Sequence, residues 1–262
     1  MPDVEPNNYF ENRWLSRLLS AVLLGGQILL RLFRGKIGHQ RIIEHMVTVG
    51  PGSLYPVVFS IGAAGMIFTL QTARELTRYG AINALGGAFA VAFCRELAPV
   101  LTAGIVAGQV GCGYAAEIGA MKVTDQIDAL YMLKTDPIDY LATPRVLACC
   151  LMLPILMVLA LVVGLAGGVF VAANFYKLSP DIFLDSVRNF LGLWDLVSLI
   201  IKGLIFGAII GVIGCSWGLT TTGGVKGVGK SATAAVVTSW VGIFMVDFFL
   251  SLLLFKGLNT TP

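Results

Sequence analysis

The chain has 262 residues, of which 56% are apolar and 13% are charged. Soluble globular domains carry about twice that share of charged residues, so the composition excludes an ordinary soluble protein. The net charge of +3 is too small to indicate binding to nucleic acid. Five segments reach the roughly 20 apolar residues that one bilayer crossing needs. The sequence therefore predicts an all-α, polytopic membrane protein without a separate soluble domain.

An amphipathic pattern opens the chain and predicts an interfacial helix within residues 1–52. Trp14, Leu18 and Val22 recur at helical spacing, while Arg17 lies on the opposite, polar face. The apolar stretch is too short to cross a bilayer comfortably, which favours a helix that lies in the membrane interface. The alternative is a poor first transmembrane helix. Basic residues that suit an anionic cytoplasmic leaflet follow: Arg31, Arg34, Lys36 and Arg41.

Five apolar segments then make up a predicted transmembrane domain over residues 53–256. The Gly-Pro-Gly sequence at 50–52 is expected to punctuate the chain before the first span. Thr143 and Pro144 are typical of a helix start and mark the third span. Lys202, near the start of the fourth span, is expected to snorkel towards water. The predicted spans are 54–73, 84–114, 144–173, 196–219 and 231–255.

The connection between the third and fourth spans also carries a helix signal. Ser179-Pro180-Asp181 is a typical helix start, and apolar residues then recur on one face up to Trp194. This pattern predicts a short amphipathic helix on the membrane surface.

Lys and Arg residues in the connections predict the orientation of the chain. Eleven lie on the side of the N-terminus and of the 117–144 loop, and five lie on the other side. Short loops rich in Lys and Arg stay in the cytoplasm. The N-terminus is therefore predicted to be cytoplasmic and the C-terminus periplasmic.

Two adjacent charges lie inside the second predicted span. Arg95 and Glu96 point about 100° apart on a helix. Pro99 cannot donate a backbone hydrogen bond to the carbonyl of Arg95. Because a charge in hydrocarbon costs several kcal/mol, such residues usually face a cavity or a partner. The pattern favours a polar site inside the membrane, and the alternative is a set of ion pairs that only hold the helices together.

A polar passage follows the second span and predicts a surface helix at about 124–134. Thr124 is expected to cap this helix, with Asp125 in its first turn. Ile127, Leu130 and Tyr131 then share a face. A helix of this kind at the membrane surface is a docking element for a cytosolic partner. The alternative is a solvated loop helix without a partner.

Glycines spaced four residues apart occur in three spans and predict close helix packing. The spacing leaves open whether each neighbour belongs to the same chain or to a second copy. The glycines are Gly104 and Gly108, Gly164 and Gly168, and Gly203, Gly207 and Gly211. None of the five cysteines lies in a Cys-x-x-Cys pair, and we interpret them as small buried apolar residues, with disulfides or metal ligation as the alternative, so no metal site is predicted.

Residues 224–231 match the phosphate-loop pattern, and Asp247 ends a hydrophobic run further on. The pattern has meaning between a strand and a helix of an α/β domain, whereas predicted transmembrane helices flank it here. We interpret the segment as a flexible cytoplasmic turn in a Gly-rich loop, 220–230. A membrane nucleotidase that uses 224–231 is one alternative function, and a secondary transporter driven by Arg95, Glu96 and Asp247 is another.

Several stretches together resemble the MlaE/YrbE permease family, the membrane subunits of ABC transporters that move phospholipids with MCE-domain proteins. The motifs that carry the resemblance are 95–100, 107–111, 116–130 and 136–141. Residues 149–154 and 214–223 resemble the cyanobacterial and chloroplast-envelope branch of the family. Gln109 departs from the pattern, because the family often has Arg at that position.

The resemblance implies a non-catalytic subunit of the inner (plasma) membrane, without a cofactor of its own. It forms a homodimer, works with an MCE-domain protein, and is powered by a separate cytosolic ATPase that binds ATP. The resemblance places lipid in a cavity between the two copies, with a wall that includes Gln71, Leu76, Tyr79, Arg95, Glu96 and Leu97. It places coupling to the ATPase on Glu117, Thr124, Asp125, Gln126 and Asp128.

Overall fold

Helices account for all regular structure in residues 7–32 and 39–255, which are the residues that the computed structural model describes. Arg34 and Lys36 of the predicted basic cluster lie outside them. The α-helices of the described residues are α1 (Asn7–Leu32), α2 (His39–Arg78), α3 (Leu85–Ala92), α4 (Ala98–Val106), α5 (Cys112–Val123), α6 (Gln126–Met132), α7 (Thr143–Tyr176), α8 (Pro180–Phe190), α9 (Leu193–Leu219) and α10 (Gly224–Phe255).

Five stretches of the described residues are long and apolar enough to cross a membrane, which confirms the predicted number. Spans one to five are Gln40–Arg78, Ile82–Val123, Ile138–Tyr176, Leu193–Leu219 and Gly224–Phe255. Each span begins earlier or ends later than predicted. Hydrogen bonding and packing determine where a helix ends, whereas the prediction used the length of the apolar run.

Span two contains three α-helices, α3 to α5, joined by two π-helical turns, Phe93–Leu97 and Ala107–Gly111. A π-turn forms where the regular hydrogen-bond ladder is interrupted. Pro99 causes such an interruption at the first turn, since it has no N–H for the carbonyl of Arg95. The widened turn contains Arg95 and Glu96.

Span one differs from the sequence prediction at its start. α2 runs without a break from His39 through Pro51 and Pro56, so the Gly-Pro-Gly sequence does not punctuate the chain. Pro56 lacks the N–H that would bond to the carbonyl of Gly52. The side chain of Gln109 in span two donates to that carbonyl instead, with an Nε2–O distance of 2.9 Å. A neighbouring helix thus supplies a hydrogen bond that the proline removes.

α7 lies at the centre of the bundle and packs along both α2 and α9. The glycine ladder of α9 faces it. A Cβ atom added to Gly207 would lie 2.6 Å from the carbonyl oxygen of Cys149, and one added to Gly211 would lie 2.8 Å from the Cα atom of Val146. The close neighbour of this ladder is therefore a helix of the same chain.

Replacing Gly207 by Ala is expected to destabilise the fold by about 1–3 kcal/mol, the usual cost of overpacking. The added methyl group meets backbone atoms of α7, which can move only if the two helices separate. Thermal unfolding of the purified protein in detergent measures the effect. Gly229→Ala is the matched control, because a Cβ atom there meets nothing within 4 Å. Equal unfolding temperatures for the two variants would contradict this account of the packing.

The two predicted amphipathic helices are both present. α8 begins at Pro180 as expected but ends at Phe190, so Trp194 lies in α9 and not on this helix, because the chain becomes extended at Leu191. α8 packs on α3 through Phe183, and the Ser186 hydroxyl accepts a hydrogen bond of 2.9 Å from the amide of Gly87. α1 packs on α9, with Leu24 buried. Other apolar side chains of α1 remain exposed, namely Leu19, Val22, Leu23, Leu29 and Leu30. An apolar exposed face of this kind suits a helix in a membrane interface.

Candidate functional site

Lys202 is the centre of a polar cluster between spans two, four and five. Its side chain is fully buried, so the prediction that it snorkels towards water was wrong. Its Nζ atom donates to the backbone carbonyl of Arg95 at 2.6 Å. This is the carbonyl that Pro99 deprives of its helical partner. The lysine points inward because this carbonyl and the carboxylates of Glu96 and Asp247 lie within reach of its ammonium group.

Two carboxylates and a hydroxyl complete the surroundings of the Lys202 ammonium group. Nζ lies 2.7 Å from Oδ1 of Asp247 and 3.4 Å from Oε1 of Glu96. It also contacts Oγ of Ser251 at 2.8 Å, and the Ser251 hydroxyl donates to Oε1 of Glu96 at 2.7 Å. An ammonium group has three donors, and a buried one needs partners for all of them. The carbonyl of Arg95 and the side chains of Glu96 and Ser251 meet that need from spans two and five.

Arg95 forms a second ion pair beside this lysine. Its Nε atom lies 2.7 Å from Oδ1 of Asp195, in the first turn of α9. The other carboxylate oxygen of Asp195 accepts a hydrogen bond of 2.9 Å from the amide of Gly192. The guanidinium group also lies over the ring of Phe255, 4.4 Å from its centroid. Arg95 is thereby fixed between the start of span four and the end of span five.

Arg95 and Glu96 line an open cleft of about 390 Å³ between spans two and five, and these two charged side chains are called its floor below. Glu96 and Arg95 keep 47% and 31% of their side chains exposed, so both are accessible from the cleft. The other residues around it are mainly apolar, namely Val91, Ala92, Phe248, Ser251, Leu252 and Phe255. Apolar walls above a charged floor can hold an amphiphile, with its chains against the walls and its polar group on the ions.

Only part of the predicted lipid wall lies at this cleft. Arg95 and Glu96 line it, whereas Gln71, Leu76 and Tyr79 lie near the end of α2 and do not. Tyr79 is 81% exposed, and Leu97 packs against the apolar core.

The opposite end of the bundle carries the predicted coupling residues. α6 spans Gln126–Met132, and Asp125 stands just before it with a positive φ of 58°. The hydroxyl of Thr124 donates back to the carbonyl of Ala120 at 2.9 Å, so Thr124 completes the end of α5. The prediction that Thr124 caps the short helix was wrong, because the left-handed turn at Asp125 separates the two helices.

Ion pairs tie this region to its neighbours. Glu117 pairs with Arg145 of α7 at 3.1 Å, and Asp128 pairs with Lys122 of α5 at 3.1 Å. Gln126 and Asp128 are exposed, and so are three large apolar side chains at the end of α6, namely Tyr131, Met132 and Leu133. The short helix therefore presents a mixed acidic and apolar surface.

The segment that matches the phosphate loop is helical. α10 begins at Gly224, so residues 224–231 form its first two turns, and the amide of Gly227 bonds to the carbonyl of Gly223 at 3.3 Å. The interpretation of this segment as a flexible turn was wrong. A phosphate loop cradles phosphate with free backbone amides, and helical hydrogen bonds engage these amides from Gly227 onward.

Sequence reasoning did not assign Asp195, Lys202 or Ser251 to the polar site. A lysine inside an apolar span, combined with a proline-freed carbonyl, was the available signal. Asp195 carried none, because it stands in a polar connection where an acidic residue is ordinary.

Comparison with known proteins agrees with the motifs. A family model described as Permease MlaE matches residues 42–253. The chain is 54% identical over 248 residues to Probable ABC transporter permease protein slr1045 of Synechocystis sp., covering 95% of this chain and 94% of that protein. It is 47% identical over 246 residues to Protein TRIGALACTOSYLDIACYLGLYCEROL 1, chloroplastic, of Arabidopsis thaliana, covering 94% of this chain and 70% of that protein. Probable ABC transporter permease protein ycf63 of Porphyra purpurea is 44% identical over 249 residues and is covered to 95%.

Proposed function

The chain belongs to the MlaE family of ABC transporter permeases, and from this we propose that it moves a phospholipid or another glycerolipid, powered by ATP hydrolysis on a separate cytosolic chain. The Arabidopsis relative carries the name of a galactolipid, which supports a lipid substrate. By this proposal the chain is not itself an enzyme and needs no cofactor. It resides in the inner membrane, with the N-terminus in the cytoplasm and the C-terminus in the periplasm.

The cleft above the Lys202 cluster is the observation that carries the proposal. A lipid needs apolar walls for its acyl chains and fixed charges for its headgroup. The cleft offers Phe248 and Leu252 as wall and the side chains of Arg95 and Glu96 as floor. It opens at the end of the bundle where span four begins and span five ends, which the predicted orientation places towards the periplasm. An MCE-domain protein on that side would exchange lipid with the cleft.

A second copy of the chain would complete the cleft. In the most apolar 18-residue stretch of each span, 22% of the residues of span five and 28% of those of span one are buried. The share is 50–61% in the other three spans. The cleft lies along the poorly buried span five, where a homodimer would enclose it. Gln71, Leu76 and Tyr79 would then belong to the wall of the shared chamber.

The conformational change that ATP hydrolysis drives in the ATPase would be transmitted to the cleft through α6. A cytosolic ATPase subunit that grips this helix would move it between two positions as it binds and hydrolyses ATP. The equilibrium between open and closed chambers would shift with that movement. Glu117 and Asp128 link the helix region to α7 and α5, so they lie on the route from the ATPase to the spans.

Replacing Asp128 by Lys is expected to weaken co-purification of the ATPase subunit at least about tenfold, since an inverted charge on an interface repels its partner. The measurement is affinity purification of the tagged permease, followed by quantification of the bound ATPase. Asp185→Lys is the matched control, because Asp185 is also exposed and pairs with Arg188 at 3.6 Å, but on α8.

The same purification tests the substrate. Mass spectrometry of the extracted lipids is expected to find a glycerolipid that is depleted when residues that line the cleft are replaced.

Equal ATPase binding by the Asp128→Lys and Asp185→Lys variants would contradict docking of the ATPase on α6. Uptake in liposomes that needs an ion gradient and no ATP would overturn the proposal and support the ion-coupled transporter.

A further inference from the structure

Arg31, in the last turn of α1, binds two carboxylates in the segment that follows α6. Its guanidinium nitrogens lie 2.6 Å from Oδ2 of Asp136 and 2.8 Å from Oδ1 of Asp139. The other oxygen of Asp136 accepts a hydrogen bond of 2.9 Å from the amide of Ile138. The hydrogen bond from Arg31 lowers the pKa of Asp136, so this carboxylate stays ionised near neutral pH.

The same segment is held from a second side. Arg41, in the first turn of α2, lies over the ring of Tyr140, with 3.7 Å between its guanidinium carbon and the ring centroid. The helices that contribute these two arginines flank residues 33–38. Residues 136–140 thus contact both the predicted interfacial helix, through Arg31, and the start of span one, through Arg41.

This segment is part of the connection between two helices. It joins α6, which ends at Met132, to α7, which begins at Thr143, through a π-helical turn at Ile138–Ala142. α7 is the central helix of the bundle and packs along α2 and α9. Residues 133–142 are the covalent path by which a displacement of α6 can reach α7, beside the ion pairs of Glu117 and Asp128.

We infer that Arg31 is a positioning residue of energy coupling, which holds the Asp136–Asp139 segment to α1 so that movement of α6 is passed to α7. The inference rests on the proposed function, and it adds α1 to the transmission path. Without the clamp, the segment between α6 and α7 would absorb part of the displacement.

The strength of the clamp suits this role. The side chain of Arg31 is 25% exposed and those of Asp136 and Asp139 are 42% and 55% exposed. Ion pairs at such positions shift an equilibrium by only about two- to fivefold each. Removing them leaves the fold intact, yet it changes how firmly the segment follows its neighbours.

The experiment compares Arg31→Ala with Arg78→Ala in the permease reconstituted with its ATPase subunit. Arg78 also forms an exposed ion pair, with Glu75 at 3.1 Å, but at the other end of the bundle. We expect Arg31→Ala to keep ATPase binding while lipid moved per ATP hydrolysed falls about two- to fivefold. Arg31→Lys, which keeps the charge but loses the two-pronged geometry, should recover only part of the loss. Arg78→Ala should match the wild type.

Hydrogen exchange of the permease without the ATPase tests the clamp separately. Amides of residues 133–142 should exchange about two- to fivefold faster in Arg31→Ala than in Arg78→Ala. Unchanged exchange, or an unchanged ratio of lipid to ATP, would overturn the inference. A wild-type complex that moves no lipid would instead overturn the proposed function, whereas the exchange result would still decide whether Arg31 holds the segment.

Discussion

Replacing Lys202 by Met is expected to destabilise the protein by about 3–5 kcal/mol, which is the usual cost of removing one partner of a buried ion pair. The variant leaves Asp247, whose side chain is only 9% exposed, without its cation. It also leaves the carbonyl of Arg95 without a donor, because Pro99 cannot supply one. Thermal unfolding in detergent measures the loss, and lipid transport should fall with it.

Lys226→Met is the matched control, since Lys226 is exposed and its loss should change stability by less than about 0.5 kcal/mol. The double variant Lys202→Met with Asp247→Asn should recover a large part of the stability, because the stranded buried carboxylate is then gone. Glu96 can remain charged in it, since the cleft exposes 47% of that side chain. A Lys202→Met protein as stable as the control would contradict the ionic account of the cluster.

The architecture could be predicted from the sequence because it depends on local chemistry. An apolar run that is long enough to cross a bilayer must be helical, since hydrocarbon offers no hydrogen bonds to the backbone. The family followed from motifs such as 116–130. The charges of Arg95 and Glu96 also identified the polar site, since a charge inside a span needs a partner.

The partners of those charges could not be predicted, because they depend on how distant helices face one another. Lys202 lies 106 positions from Glu96 in the chain and Ser251 lies 155 positions from it. Helical spacing determines which residues share a face on one span, but not which face meets another span. The prediction for Thr124 was wrong for a local reason, since Asp can adopt either a helical or a left-handed conformation and the sequence does not show that Asp125 is left-handed.

Two prolines illustrate how distant contacts repair local defects. Pro99 frees the carbonyl of Arg95, which Lys202 takes, and Pro56 frees that of Gly52, which Gln109 takes. In both cases a polar side chain from another span supplies the missing donor. Gln109 therefore has a structural role in this chain.

Replacing Glu96 by Arg is expected to lower lipid transport more than tenfold while assembly with the ATPase subunit is kept. The change puts a third cation beside Lys202 and Arg95 and removes the acceptor of the Ser251 hydroxyl. Unit charges 4 Å apart interact by about 4 kcal/mol at an effective dielectric constant of about 20. Replacing the anion by a cation therefore turns an attraction of this order into a repulsion at the floor of the cleft. The new side chain can turn into the open cleft, which preserves the fold. Transport of labelled lipid in liposomes is the measurement.

Glu75→Arg is the matched control, because Glu75 is 57% exposed at the end of α2 and its ion pair with Arg78 lies outside the cleft. Glu96→Gln should give an intermediate rate, since its amide oxygen still accepts from Ser251 but its charge is gone. This ordering separates the charge of the floor from its hydrogen bonds. If fully assembled Glu96→Arg transports lipid as fast as Glu75→Arg, the headgroup does not bind at this cluster, and the substrate path must be sought elsewhere on the bundle.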